Sequence, residues 1–243
     1  EFGGEPLDET GVAGFDRHAD GSLTPIGGSP FAIGGAGTGH GVASQGSLQE
    51  SADGRYLLAA DAGSNQISVL RIKPHGGLQV ADVVSSNGRN PVSIAIHGHL
   101  VYVANASPTA PNYTGFTLNA GGHLSALTGS TVTLPDASQP GDVLFSGDGT
   151  KLVGTRVNTS LIDSFAVGAN GTLTAAPGSP FTAQGLGPFG SEFRPTNPAQ
   201  LFVSNAHDGP GNGSVSAFSA AADGTLTSIG ASPFANHQAA PCW

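Results

Sequence analysis

The side chains able to do chemistry are few, and they recur at related places. Polar residues stand just ahead of four apolar runs: His40 and Gln45, then Asn87, Arg89 and Asn90, then Gln139, then His237 and Gln238. Repeated polar placement at equivalent connectors suggests a polar funnel. A small molecule or a carbohydrate is therefore the expected ligand, held by His40, Gln45, Asn90, Gln139, His237 and Gln238. Glu50 is the most unusual residue. Counted back from the run that follows each, Glu50, Phe145 and Phe193 are equivalent, so one copy of a pattern holds a carboxylate where two hold an aromatic ring. Such a carboxylate is exposed, paired with Arg55 or Arg89, or kept for acid–base work by a pKa raised through burial. Glu50 and Arg89 are the catalytic candidates.

Other chemistries find less support. His97 and His99 flank a glycine but lack a third ligand, and the oxygen-rich turns Asp61–Ser64–Asn65 and Asn205–Asp208–Asn212 are incomplete donor sets. No metal is expected. Gly34 to Gly41 is glycine-rich but precedes a strand-like run, so it reads as a connector rather than a phosphate cradle. No G-x-S-x-G elbow, P-loop or dinucleotide fingerprint occurs, and no cofactor is expected. Five N-x-Ser/Thr sequons, at Asn105, Asn112, Asn158, Asn170 and Asn212, are the glycosylation candidates and point to a secreted chain.

The elements that must position these residues are repeats. One phrase, a β-prone run, a Gly turn, a leucine and a second run, occurs five times, at 12–31, 67–84, 113–130, 161–181 and 215–234. Its marker leucines, Leu23, Leu78, Leu124, Leu173 and Leu226, lie 55, 46, 49 and 53 residues apart. A second phrase, two apolar runs about a Gly or Asn turn, fills the gaps at 47–61, 91–105, 141–155 and 190–205. Each period thus holds two hairpins, strands A to D, which is the pattern of a β-propeller blade. A β-sandwich would not demand five near-copies. The 38 glycines and 17 prolines exclude a helical solenoid.

The expected fold is all-β: one β-propeller domain over 1–243 built of four-stranded antiparallel blades. A half-blade spans 12–31, blades span about 45–84, 90–134, 140–181 and 188–234, and another begins at 238–243. The first copy has strands C and D without an A–B hairpin, and the last phrase stops where a new strand A begins. A closed ring needs its ends joined within one blade, so the expectation is a segment of a larger propeller, about five blade units of a probable seven. The open edges suggest a complementary chain or fragment as a partner.

Composition narrows the partners further. A formal net charge of −9, with two lysines and six arginines, excludes nucleic acid and anionic membrane surfaces. The single cysteine, Cys242, excludes an intrachain disulfide.

The stretches SQGSLQESADGRYLLAADAGSNQISVLRI (44–72), NPVSIAIHGHLVYVANA (90–106), GDVLFSGDGTKLVGT (141–155) and QAAPCW (238–243) resemble the lactonase-type seven-bladed propellers. These are the 6-phosphogluconolactonase-like and carboxymuconate-cyclase-like proteins, and the likeness is greatest to the secreted branch. The resemblance covers nearly the whole chain. It implies catalysis by histidine, glutamate and arginine side chains at one channel mouth. In such members a His-Pro-His-like stretch precedes the strand at Ser47–Ser51, and a Gly-Pro-Arg-His-like stretch opens the next blade. Here those places read Ala43-Ser44-Gln45-Gly46-Ser47 and Gly88-Arg89-Asn90-Pro91-Val92; the arginine is kept and the histidines are not. The expected function is a secreted binding or scaffold module working through its polar funnel. The alternative is a lactone hydrolase or muconate-type cycloisomerase using acid–base residues at the mouth.

Overall fold

The computed structural model describes residues 11–42 and 44–242. Residues 1–10, Ala43 and Trp243, which include the start of the expected domain, one residue of the 43–47 connector and the last residue of 238–243, lie outside the described residues.

Every described sheet is an antiparallel meander. The first is a C–D hairpin: β1 (Gly11–Val12) pairs with β4 (Phe31–Ala32), and β2 (Phe15–Arg17) with β3 (Leu23–Pro25). Blade I follows as β5 (Leu48–Glu50), β6 (Tyr56–Asp61), β7 (Gln66–Ile72) and β8 (Leu78–Ser85). Blade II is β9 (Pro91–His97), β10 (Leu100–Asn105), β11 (Asn112–Leu118), β12 (Leu124–Ala126) and β13 (Val132–Thr133). Blade III is β14 (Pro140–Phe145), β15 (Lys151–Arg156), β16 (Leu161–Val167), β17 (Leu173–Ala175) and β18 (Phe181–Thr182). Blade IV is β19 (Pro188–Arg194), β20 (Asn197–Asn205), β21 (Ser214–Ala220), β22 (Leu226–Ser228) and β23 (Phe234–Ala235). The all-β propeller architecture is as the repeats require.

The repeated phrases have local reasons. In blades II to IV the outer strand D is two short pieces, where one strand was expected. A serine causes this, in the Gly/Ala-Ser-Pro-Phe phrase of blades III and IV and in Gly129-Ser130 of blade II: it leaves the ladder and its Oγ accepts the strand-C amide fifteen residues earlier. Ser179 Oγ takes Ser164 N at 3.0 Å and Ser232 Oγ takes Ala217 N at 2.7 Å. Ser29 does the same for Gly14 N, and Ser130 for Gly115 N, both at 3.0 Å. The Ser-x-Asp-Gly phrase makes the A–B turns: Ser51 Oγ donates to Asp53 at 2.7 Å and accepts Tyr56 N at 3.0 Å, and Ser146 repeats this with Asp148 and Lys151 N.

Central strands read as unbroken apolar runs because both of their faces are covered by neighbouring blades. Among the described residues the core is consequently three slabs between blades and a small fourth cluster of Val157, Phe189 and Ala206. Tyr56, Leu58, Val69, Ile94, Val103 and Phe116 pack between blades I and II. Tyr102, Tyr113, Val143, Phe145, Leu152 and Phe165 pack between II and III. Val153, Ile162, Phe193, Leu201 and Phe218 pack between III and IV. Polar locks join the slabs: Tyr56 Oη donates to Ala120 O at 2.9 Å, Tyr102 Oη to Gly171 O at 2.9 Å, and Ser164 Oγ to Gly224 O at 2.7 Å. Strands β9, β14 and β19 lie side by side along the inner wall, so the connectors before them meet at one end of the sheets.

Candidate functional site

Before each inner strand of blades II to IV the backbone turns left-handed. Asn90, Gln139 and Gly187 have φ of 56°, 50° and 65°, each followed by proline, and Ala240 before Pro241 repeats the turn at 46°. That conformation is disfavoured for residues with a Cβ, and a following proline restricts it further. Backbone staples hold it. Ala106 N donates to Asn90 O at 2.8 Å, Val157 N to Gln139 O at 3.0 Å, and Ala206 N to Gly187 O at 2.9 Å. Asn90 is held at its other side as well, its N–H donating to Asn65 Oδ1 at 2.8 Å.

Asn90 and Gln139 thereby reach one cleft of about 370 Å³ at the connector end of blades I to III. Thr38 and Asn158 add polar groups, and Val42, Val92 and Ala106 form apolar walls. Both carboxamides are half-buried, and among the described residues neither has a hydrogen-bond partner. His40 is exposed and does not itself line the cleft; it lies in the chain between the lining residues Thr38 and Gly41, and Thr38 Oγ1 accepts its N–H at 3.2 Å and donates to its carbonyl at 2.7 Å.

The other sequence candidates lie elsewhere. Gln45 N donates to Gly141 O at 3.0 Å, and its side chain lies beside Gly190 in a separate hollow of about 300 Å³ with Ser191, Glu192 and Phe202; its buried Oε1 has no partner. His237 and Gln238 are exposed on blade IV, where Gly213 N donates to Gln238 O at 2.9 Å. The catalytic candidates do not come together. Glu50 ends β5 at an A–B turn and is exposed, whereas Arg89 is exposed in the connector before β9, at the other end of the sheets. No ion pair among the described residues includes either, and Arg55 pairs with Asp53 at 2.7 Å instead. The equivalent Phe145 packs edge-on against Tyr102, 6.0 Å away, while Glu50 has no covering ring.

Two sequons need correction. Asn105 is fully buried and spends its Nδ2 on Ser86 O and Asn112 Oδ1; Asn112 is buried and its Oδ1 also accepts from Thr114. A glycan needs an exposed amide nitrogen, so neither serves as an acceptor in the folded chain. Asn158, Asn170 and Asn212 are exposed. His97 is not poised as a ligand: its ring lies 6.0 Å from Phe145 and close over Gly149.

Residues 10–113 match the family described as lactonase, 7-bladed beta-propeller. These residues are similar to that family. Solved structures agree in fold over a longer stretch. A Lactobacillus plantarum protein is 19% identical over 93% of this chain and 66% of its own, with a TM-score of 0.74. A periplasmic gluconolactonase of Pseudomonas aeruginosa is 23% identical over 93% and 64%, at 0.72. A 6-phosphogluconolactonase candidate from Bacteroides fragilis is 22% identical over 93% and 65%, at 0.71. The chain thus spans just under two thirds of the length of these structures, and at such identities the likeness is one of fold. No curated protein matches the chain.

Sequence reasoning missed the buried carboxylates of this propeller. Asp142, in β14, is 3% exposed. It accepts from Ser93 Oγ at 3.1 Å and from Ser191 N and Oγ at 2.9 and 2.6 Å, tying the inner strands of blades II, III and IV. Burial pushes its carboxyl up to about 6, with the serine hydrogen bonds opposing. One signal was present: Ser93 stands third in the Pro-Val-Ser opening of β9 where Asp142 stands third in Pro-Gly-Asp, a carboxylate in place of a small hydroxyl. Asp61, also pushed up to about 6 by burial, accepts Ser68 Oγ at 2.7 Å beneath Gly35, whose hydrogen leaves room that a methyl would not. Arg156 is clamped on Asp163, which also accepts Tyr113 Oη at 3.0 Å; burial and then the Asp163 charge hold the Tyr113 phenol well above its ordinary value.

Proposed function

We propose that this lactonase-family propeller hydrolyses a lactone in the cleft between Asn90 and Gln139. The observation that carries the reading is the pair of unpartnered carboxamides, each fixed by a stapled left-handed backbone and both reaching the same cleft. Water adds to the lactone carbonyl, and the oxyanion that forms accepts hydrogen bonds from Asn90 Nδ2 and Gln139 Nε2. The ring C–O bond then breaks and the alkoxide takes a proton, so one water is consumed and one hydroxy acid is made. His40, next in the chain to the lining residue Gly41, is the base that takes the water's proton and returns it to the leaving oxygen. Fixed donors aimed at developing charge are worth about 10²–10³-fold each when removed from such sites. The family match favours hydrolysis over a scaffold role.

The test is hydrolysis of a sugar δ-lactone followed by acid release, corrected for the spontaneous rate. Asn90→Ala and Gln139→Ala are expected to lower kcat by about 10-fold or more, with His40→Ala at least as damaging. A wild-type rate equal to the uncatalysed one would leave a binding module. Secretion is part of the same proposal: the exposed sequons at Asn170 and Asn212, outside the cleft lining, suit a glycosylated extracellular chain. A mass that does not change on enzymatic removal of N-glycans from the native material would count against it.

A further inference from the structure

We infer that the cleft is built for an uncharged, polyhydroxylated lactone and discriminates against the phosphorylated form of the same ring; this rests on the hydrolase reading above. The cleft walls carry no formal charge: the polar groups are Thr38, Asn90, Gln139 and Asn158, and the rest are apolar side chains or backbone. Hydroxyl groups donate and accept, and so do carboxamides, so each ring hydroxyl can find a matched partner here. Val42, Val92 and Ala106 offer surface to the C–H faces of a ring. The volume, about 370 Å³, lies in the range of small-ligand sites.

Among the described residues that line the cleft, a phosphate dianion would meet no cation. Its entry strips water from two charges, a loss recovered only by cations or several charge-assisted hydrogen bonds. The charged residues adjoining the lining in sequence are Arg89, beside Asn90, and Asp136, beside Ala137, and they are opposite in sign. Asp136 holds Ala110 N at 2.8 Å. Arg156, one residue from Val157 whose amide staples Gln139, is buried with the Nε–Nη2 edge of its guanidinium on Asp163. A more cationic hollow, of about 290 Å³, lies at the A–B turn end between Arg55 and His99. Its guanidinium is spent: Arg55 Nε is on Asp53 and Nη2 is 3.3 Å from Ala120 O. The formal net charge of −9 adds a long-range field that repels a dianion.

The experiment compares kcat/KM of the full chain for D-glucono-1,5-lactone and its 6-phosphate under matched salt. The expected result is a preference of about tenfold or more for the unphosphorylated ring, kept in Arg89→Ala. Thr38→Lys, which adds a cation at the rim, should narrow the preference, while Thr38→Gln should not. Equal or better turnover of the phosphate would overturn the inference and leave the hydrolase reading standing. Turnover of neither would end the hydrolase reading. Saturation-transfer NMR with 1,5-anhydro-D-glucitol and its 6-phosphate, rings without a lactone to hydrolyse, then decides the class alone. Binding of the neutral ring only, lost in Gln139→Ala, supports it, and binding of the phosphate, or of neither, sinks it.

Discussion

Asp142 sets the pH behaviour expected of the fold. Its folded pKa, about 6, lies above the ordinary aspartate value of 3.8, so in the window between them the folded state holds more protons than the unfolded one. That stability is fully present below the unfolded value and is lost as pH rises through about 6; Asp61 acts in the same direction. Asp148 acts in the opposite direction, because hydrogen bonds from Ser146 and Thr150 outweigh its burial and hold it well below the usual range, so its contribution is lost only in strong acid. Thermal melts should therefore show higher stability at pH 5 than at pH 7, with a difference of roughly 1 kcal/mol for Asp142 alone. The isosteric Asp142→Asn should flatten that dependence, and an unchanged slope would mean that the carboxylate does not titrate with folding. Asp142→Ala should cost about 3 kcal/mol, because Ser93 and Ser191 lose their acceptor. At this scale the sequence was legible only in part. Asn90 and Gln139 could be read because each precedes a proline at a repeated connector. Asp142 could not, since burial depends on which blades meet there. The sequons at Asn105 and Asn112 misled for the same reason: a three-residue motif carries no information about depth.

Among the elements, one tight place is the C–D turn of blade II against blade I. Gly122 has φ of +88°, and a methyl there would lie 2.4 Å from the Tyr56 ring. Gly129 is also left-handed, at +75°, but has nothing within 4 Å. Gly129→Ala should thus cost about 1 kcal/mol for its backbone alone, and Gly122→Ala about 3 kcal/mol, because the buried ring must also move. Urea midpoints of the two variants make the comparison, and equal shifts would show that the blade contact has slack. The hairpins were readable from alternating runs and Gly turns. The split of strand D was not, because Gly-Ser-Pro-Phe and its Ala variant look like an ordinary turn until the serine is seen to hold a strand-C amide fifteen residues back.

For the molecule as a whole, the repeat period carried almost all of the architecture, since a blade that cannot bury its faces alone must stack on copies of itself. Three separate slabs follow, and perturbations should stay within them. Tyr102→Ala, in the slab between blades II and III, and Leu201→Ala, between III and IV, share no contact cluster and should have additive stability costs within about 0.5 kcal/mol. A larger coupling, measured by a double-mutant cycle, would mean that the Asp142 bridge transmits strain across blade III. The strand order has a consequence for synthesis. Each blade is finished within one unbroken run of chain, and blades II to IV each pack on the blade before them. A nascent blade can therefore settle on its predecessor as soon as its last strand has left the ribosome, without waiting for distant sequence. Translation order becomes assembly order, and the growing end exposes one unpacked sheet face at a time.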